Sequence, residues 1–414
     1  MSHRVVVTGL GLVTPVGNTV EESWSCLLQG KSGAAPITRF DTSRHSVRFA
    51  CEVKGFEPTL YIDRKEAKRY DLFAQYAIAA AHQAVTQSAI EGKAADLNRV
   101  GVVMGSGIGG MLTFEENCAA FVTKGPDRVS PFFVPMFIPN MAGGLVSMRY
   151  GFKGPNFAPV SACASSAHAI GESYRMIREG MADAMITGGS EACVTGLTVA
   201  AFSNMKAMSA RNDDPATASR PFDIDRDGFV LGDGGAAIVL ESLEHADGRG
   251  ATILGEVVGY GLSGDAFHMS APAPEGEGAQ RAMKMCLAEQ GIAPTRVGYV
   301  NAHGTSTPLG DLAETRALRQ VFGKHAYDLA VSSTKSVTGH CFGAAGAVEA
   351  MMCARALHHQ LLPPTINYRN PDPELDLDYV PNEARKVDGL EFAVSNAMGL
   401  GGHNGCVLLG RYDG

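Results

Sequence analysis

The apolar positions of this chain follow two periods that alternate along it. Residues 4–8, Arg-Val-Val-Val-Thr, are short, β-branched and followed by Gly9, which predicts a buried strand stopped by glycine. Residues 73–88 are rich in Ala and bring Phe73, Ala77, Ala80 and Ala84 onto one face, which predicts a helix. Arg99 to Val103 reads as a strand again and runs into the turn Gly105-Ser106-Gly107. The same order returns later. Residues 278–290 predict an amphipathic helix, Arg296 to Val300 a strand, and Asn301-Ala302-His303-Gly304 its exit. Val160-Ser161 leads through Cys163 into a small-residue helix, and Val331-Ser332-Ser333 leads to a second one spanning Gly339 to Ala347.

The Arg-Val-Gly-x-Val strings begin at residues 99 and 296. A spacing that long is no solenoid repeat and predicts two related α/β halves, 1–250 and 251–414. The division falls after the charged, turn-rich stretch Leu243–Gly250. Small residues open both of the later helices, where an exposed helix would carry Lys and Glu. They predict close packing of the two helices in the middle of a layered fold. No long linker separates the halves, so they are expected to share an interface.

Composition narrows the class. The 414 residues are 45% hydrophobic and 19% charged, too apolar for a disordered chain and long enough for a large core. Forty-nine glycines imply many tight turns and close backbone approaches. A net charge of −8 argues against a general nucleic-acid binder, which needs a basic face. Nine scattered Cys without a Cys-x-x-Cys pair predict reduced thiols, no zinc site and a cytoplasmic setting. The apolar start is broken by Gly9, Gly11, Pro15 and Gly17, and no run of about 18 apolar residues occurs. Neither a signal peptide nor a membrane span is expected.

Several segments could carry chemistry. Cys163 stands where a strand meets a helix, where the helix dipole and free N–H groups are expected to favour thiolate. A buried, inert thiol is the alternative. His303 and His340 each follow a strand of the second half, and neutral imidazoles there could stabilise a developing oxyanion or enolate. Lys335 could charge or orient a neighbour, or be a solvated turn residue. The glycine-rich run Gly399–Gly405 could gate a site, or be a plain hairpin turn. Gly105–Gly110 looks like a phosphate loop but lacks the Lys-Ser/Thr of a Walker motif, so nucleotide binding is rejected. Arg64–Arg69 is the densest basic cluster, either a solvated face or a landing site for an acidic partner.

Four strings together resemble the β-ketoacyl-acyl carrier protein synthases, in particular their elongating type II members. They are Val-Ser-Ala-Cys163-Ala-Ser-Ser, Asn-Ala-His303-Gly-Thr-Ser-Thr-Pro-Leu-Gly-Asp, Ser-Ser-Thr-Lys335-Ser-Val-Thr-Gly-His340 and Gly-Leu-Gly-Gly-His-Asn. The resemblance runs from Arg4 to Leu409. It implies a thiolase-like α/β fold, with duplicated βαβαβαββ halves in a five-layered αβαβα arrangement, and usually a homodimer. It implies decarboxylative condensation of malonyl carrier with an acyl group held on Cys163, without metal or other cofactor. His303 and His340 would serve decarboxylation, and Lys335 would support them. The N–H groups of Cys163 and Leu400 would form the oxyanion hole. Thr305 and Thr307 would hold the phosphopantetheine arm, while Ile108, Phe202 and Phe342 would line the acyl pocket. Lys65, Arg69 and Lys206 would dock the acyl carrier protein. Asp311, Glu314 and Glu349 would form a supporting polar network, and Met398, Gly399, Leu400, Gly401 and Gly402 a gating loop.

The sequence departs from that family pattern at four places. Met398 and Leu400 stand where Phe is usual, Cys341-Phe342 where two Leu are common, and Asp233 where Glu is usual. These differences keep open a specialised polyene or polyketide chain handled by the same chemistry. A non-catalytic partner subunit would lack the nucleophile, and a thiolase proper would carry its catalytic Cys in the second half.

Overall fold

The computed structural model describes residues 2–94 and 96–414. The first half runs β1 (Val5–Val13), α1 (Leu72–Ser88), β2 (Val100–Gly105), α2 (Met141–Tyr150), β3 (Asn156–Phe157), α3 (Ser165–Arg178), β4 (Ala184–Glu191), β5 (Gly234–Ser242). The second repeats the order: β6 (Gly255–Gly264), α4 (Glu277–Ala288), β7 (Val297–Asn301), α5 (Pro308–Phe322), β8 (Ala330–Ser332), α6 (Ala345–His359), β9 (Phe392–Gly399), β10 (His403–Gly410). Both halves are therefore βαβαβαββ. The strands join in the order β8-β7-β9-β10-β6-β1-β5-β4-β2-β3, which reads alike from either end. The halves meet where β1 and β6 pair antiparallel over Val5–Val7 and Gly255–Val257.

Three apolar cores separate the layers. One lies between α1, α2 and the first half's strands, and one between α4, α5 and the second half's strands. The third holds α3 and α6 between strands of both halves and draws in Val5, Ile170, Tyr260, Met351 and Leu409. The result is five layers, αβαβα, with α3 and α6 in the middle as their small residues predict. A Cβ on Gly346 would lie 2.8 Å from the Ala167 nitrogen. The Ser166 hydroxyl accepts the Ala347 N–H at 2.8 Å.

The expectation that Gly9 stops the first strand is wrong. β1 continues through Gly9 and Gly11 to Val13. These glycines let α1 lie directly on the strand: a Cβ on Gly9 would sit 2.1 Å from the Ala84 carbonyl oxygen, and one on Gly11 1.9 Å from that of Ala80. The second half repeats the device. Gly259 and Gly261 of β6 face Cys286 and Ala282 of α4, with corresponding distances of 2.3 and 1.9 Å. Among the described residues no helix is long and apolar enough to cross a membrane.

Candidate active site

The nucleophile candidate sits on a strained turn. Ala162–Ala164 form a single 3-10 turn that runs into α3, and Ala162 is left-handed at φ +51°. Such a conformation costs an L-residue about 1–3 kcal/mol and must be held by its surroundings. The Ser165 hydroxyl accepts the Ser161 N–H at 2.9 Å and donates to the Ala162 carbonyl at 2.7 Å. His168 Nε2 donates to the Asn404 carbonyl at 3.1 Å, so its Nδ1 accepts the Ser161 hydroxyl at 2.6 Å. The second half builds the same turn at Phe342–Ala344, with Phe342 at φ +46° and Gly343 in the place of Cys163. The duplication thus carries a thiol in one half only, and the turn of the other half brings His340.

The Cys163 sulfur and one ring nitrogen each of His303 and His340 lie within 4.8 Å of one another. The two imidazoles meet edge to face, 5.3 Å apart at 86°. All three are buried, at 4, 7 and 2% exposure. They close the inner end of a cavity of about 410 Å³, whose outer end is lined by the exposed side chains of Met205, Lys206 and Leu309. Cys-His-His is also a donor set that zinc could use, the metal itself ionising the thiol as it binds. Burial here pushes the Cys163 thiol up to about 12, against the opposing N–H of Leu400 and charge of Lys335. The expected thiolate is therefore not the resting form: desolvation outweighs the helix terminus. Both imidazoles are held well below their ordinary value, first by burial and then by the Lys335 charge, so both are neutral. The backbone N–H groups of Leu400 and Cys163 favour the thiolate, against the larger effect of burial.

A layer of buried charge fixes these groups. Glu314 of α5 accepts the backbone N–H of His303 at 2.8 Å and of Gly304 at 2.7 Å, and the Asn396 amide at 2.7 Å. Lys335, 1% exposed, donates to Glu349 of α6. Burial pushes Glu349 up to about 7, against the pull of Lys335. His340 is clamped through its backbone, which donates to Val230 at 2.7 Å and accepts from Gly232 at 2.9 Å. Asp311 accepts N–H groups from Phe222 at 2.9 Å and Ser306 at 3.2 Å. It thereby shapes the loop whose Thr305 and Thr307 hydroxyls, 3.0 Å apart, line the cavity.

Residues 2–246 match the β-ketoacyl synthase N-terminal domain family and residues 254–369 its C-terminal domain family. The chain belongs to the β-ketoacyl synthase family. It is 50% identical to 3-oxoacyl-[acyl-carrier-protein] synthase 2 of Synechocystis sp., over 99% of this chain and 98% of that protein. The protein of the same name from Coxiella burnetii is 52% identical, over 99% of each chain. Among solved structures, the ishigamide ketosynthase/chain length factor superposes with a TM-score of 0.93 at 33% identity, covering 100% of both chains. A type II ketosynthase complex with its acyl-carrier protein, bound to a hexaketide, superposes at 0.91 with 31% identity, again over 100% of both chains. The fold is the thiolase-like fold of these ketosynthases.

The remaining expected residues of this β-ketoacyl synthase are placed unevenly. Met398, Gly399, Leu400, Gly401 and Gly402 all line the cavity at the tip of the β9–β10 hairpin, so the run is a hairpin that borders the site. Phe202 and Phe342 line the cavity, whereas Ile108 packs on their cluster without lining it. Lys206 is exposed at the cavity, but Lys65 and Arg69, also exposed, lie outside its lining. Asp233 is buried behind the pocket, paired with Arg39 at 2.7 Å.

Four participants escaped the sequence reading. The Gly105-Ser106-Gly107 loop cradles a carboxyl group, that of Glu191: Ser106 Oγ donates at 2.9 Å, the N–H of Gly107 at 2.7 Å and that of Ile108 at 3.2 Å. Gly343 of the other half's turn donates to the same carboxyl at 3.0 Å. The available signal was a lone acid at the end of β4, after Gly188-Gly189-Ser190. His168 is hidden by its helix. Phe229, which meets the His340 ring at 5.6 Å, carries no sequence signal. Asp265 accepts the Asn404 amide at 2.7 Å, and its N–H donates to Gly402 at 2.8 Å, tying the hairpin turn to the loop after β6.

Proposed function

We propose that this chain is an elongating β-ketoacyl-acyl carrier protein synthase of type II fatty-acid synthesis. The observation that carries the reading is the thiol facing two neutral imidazoles and two N–H donors at the end of one cavity. In the first half-reaction Cys163 Sγ attacks the thioester carbonyl of an acyl carrier. Because burial keeps the thiol protonated, an imidazole takes that proton as the C–S bond forms. It returns the proton to the departing pantetheine thiolate. Malonyl carrier then enters. His303 and His340 donate to its thioester oxygen while the carboxylate leaves as carbon dioxide, and the electron pair remains as an enolate. The enolate carbon attacks the acyl carbonyl on Cys163, and the N–H groups of Cys163 and Leu400 receive the oxyanion. Collapse expels the Cys163 sulfur, which is reprotonated, and releases a 3-oxoacyl carrier two carbons longer. As written, the cycle draws on no metal and no redox cofactor.

Lys335 keeps both imidazoles neutral, Thr305 and Thr307 steady the pantetheine arm, and Lys206, Lys65 and Arg69 attract an acidic carrier protein. The solved ketosynthase complex with its acyl-carrier protein supports that partner. A homodimer is supported by the outermost strand β3, with Phe157 exposed beside Val160 and Met148. A cytoplasmic setting is supported by nine free cysteines. A polyketide-type chain is the second reading, favoured by the hexaketide-bound neighbour, but the synthase 2 relatives are closer in sequence. Intact-protein mass spectrometry after incubation with an acyl carrier tests the reading. One acyl mass located on Cys163, absent in Cys163→Ala along with condensation, is expected. Acylation elsewhere, or condensation by Cys163→Ala, would refute it.

A further inference from the structure

The wall behind the thiol is aromatic and full. Phe342 stacks on His340, with centroids 4.9 Å apart at 25°, and packs against Phe202 at 4.8 Å. Phe229 closes the other side, 5.5 Å from Phe202 and 5.9 Å from Phe342. Behind the rings, Cys193, Val194 and Val199 are buried in the same cluster, and Ile108 packs on it outside the cavity lining. The cavity that reaches Cys163 from the surface is bounded on this side by the Phe342 and Phe202 rings. An acyl chain on Cys163 longer than the space in front of them has to move a ring.

The two rings differ in how freely they can move. Phe342 belongs to the turn that also carries His340, and that turn is pinned. The His340 N–H donates to Val230, Gly232 donates to the His340 carbonyl, and the Gly343 N–H donates to Glu191 at 3.0 Å. Phe342 itself is in the left-handed conformation at φ +46°, rarely adopted by a bulky residue. A shift of its backbone would drag His340 and break the Glu191 cradle. Its ring is held between the His340 imidazole and Phe202. On the opposite side the hairpin supplies Met398 and Leu400, two flexible aliphatic side chains, the second flanked by glycines. The rigid bulk over the thiol thus sits on the anchored turn, and the adaptable side chains on the loop.

We propose that Phe342 is the specificity-determining residue of the acyl pocket, and that it restricts Cys163 to short acyl groups. The proposal rests on the condensing-enzyme reading and deepens it to a substrate class. Short acyl thioesters load with the rings in place. Long saturated chains load only when the ring stack on His340 is opened, which also disturbs the imidazole needed for the next step. Discrimination therefore falls on acylation of Cys163 rather than on carrier docking.

The test is time-resolved intact-mass measurement of acyl-Cys163 with butanoyl, octanoyl and hexadecanoyl carriers. Wild type, Phe342→Leu and Phe202→Leu would be compared. In the wild type, butanoyl is expected to load at least about tenfold faster than hexadecanoyl, the scale at which a pocket discriminates one or two chain units. Phe342→Leu is expected to raise the hexadecanoyl-to-butanoyl ratio by about tenfold or more, and Phe202→Leu to raise it less. Equal loading of all three chains by the wild type would overturn the proposal without help from any variant. So would a ratio that moves in Phe202→Leu and not in Phe342→Leu. No acyl mass on Cys163 with any carrier would instead remove the condensing-enzyme reading, and this one with it.

Discussion

Cys163, His303 and His340 are all uncharged at rest, because burial is the largest influence on each. It pushes the thiol up to about 12 and both imidazoles well below their ordinary value. Position was legible in the sequence, since a Cys at a strand-to-helix junction and two strand-end His need only local pattern. Protonation was not, because the burying residues come from the other half and from loops far along the chain. The sign of the pH dependence follows. The neutral imidazole is the working form, and its folded value lies below 6.5. Malonyl decarboxylation should therefore stay flat as pH falls through the ordinary histidine range and fail only below it. Lys335 contributes through its positive charge, which disfavours a second charge on either ring. Lys335→Met should move the acidic limb upward and lower the plateau. A limb that stays in place would show that Lys335 acts only through packing against Glu349.

The glycines of β1 and β6 are the clearest case of a misread element. Gly9 reads as a strand stop when neighbouring positions alone are considered. Its cause is a helix that arrives more than sixty residues later and lies on the strand with no room for a methyl group. The helices themselves were legible from period and composition, because their spacing is local. Glu191 shows the same limit: three of its donors come from the loop after β2 and one from the turn before α6, and no local pattern joins them. The symmetry of the glycine contacts makes a matched test. Gly11→Ala and Gly261→Ala each place a methyl 1.9 Å from a backbone carbonyl oxygen, of Ala80 and Ala282 respectively. Each should destabilise the protein by about 1–3 kcal/mol or more. Gly248→Ala, on a surface helix with nothing within 4 Å of the added carbon, should be neutral or stabilise by up to about 1 kcal/mol. Thermal melts of the three variants check this. Equal effects at Gly11 and Gly248 would mean that the close helix–strand approach does not decide the β1 position.

At the scale of the whole molecule both the duplication and the meeting of its halves were legible. Two Arg-Val-Gly-x-Val strings suggest related halves, and small residues at the start of two helices predict that these pack together in the middle; which side chains meet there was not legible. The structure shows α3 and α6 buried together between strands of both halves, with Gly346 against Ala167 and Ser166 bonded to the Ala347 N–H. Neither half can bury its own middle helix without the other. The reacting groups follow the same rule, with Cys163 from one half and both imidazoles from the other. Independent stability of either half is therefore not expected, and calorimetry should record one transition whose van't Hoff and calorimetric enthalpies agree. Gly346→Leu inserts side-chain atoms between the middle helices, where a first carbon already falls 2.8 Å from the Ala167 nitrogen. It should lower the temperature of that single transition, not split it. Cys163 acylation should be lost over the same temperature range. Two resolved transitions, or acylation that outlasts the melting of the second half, would show that the halves fold separately and that the site needs only one of them.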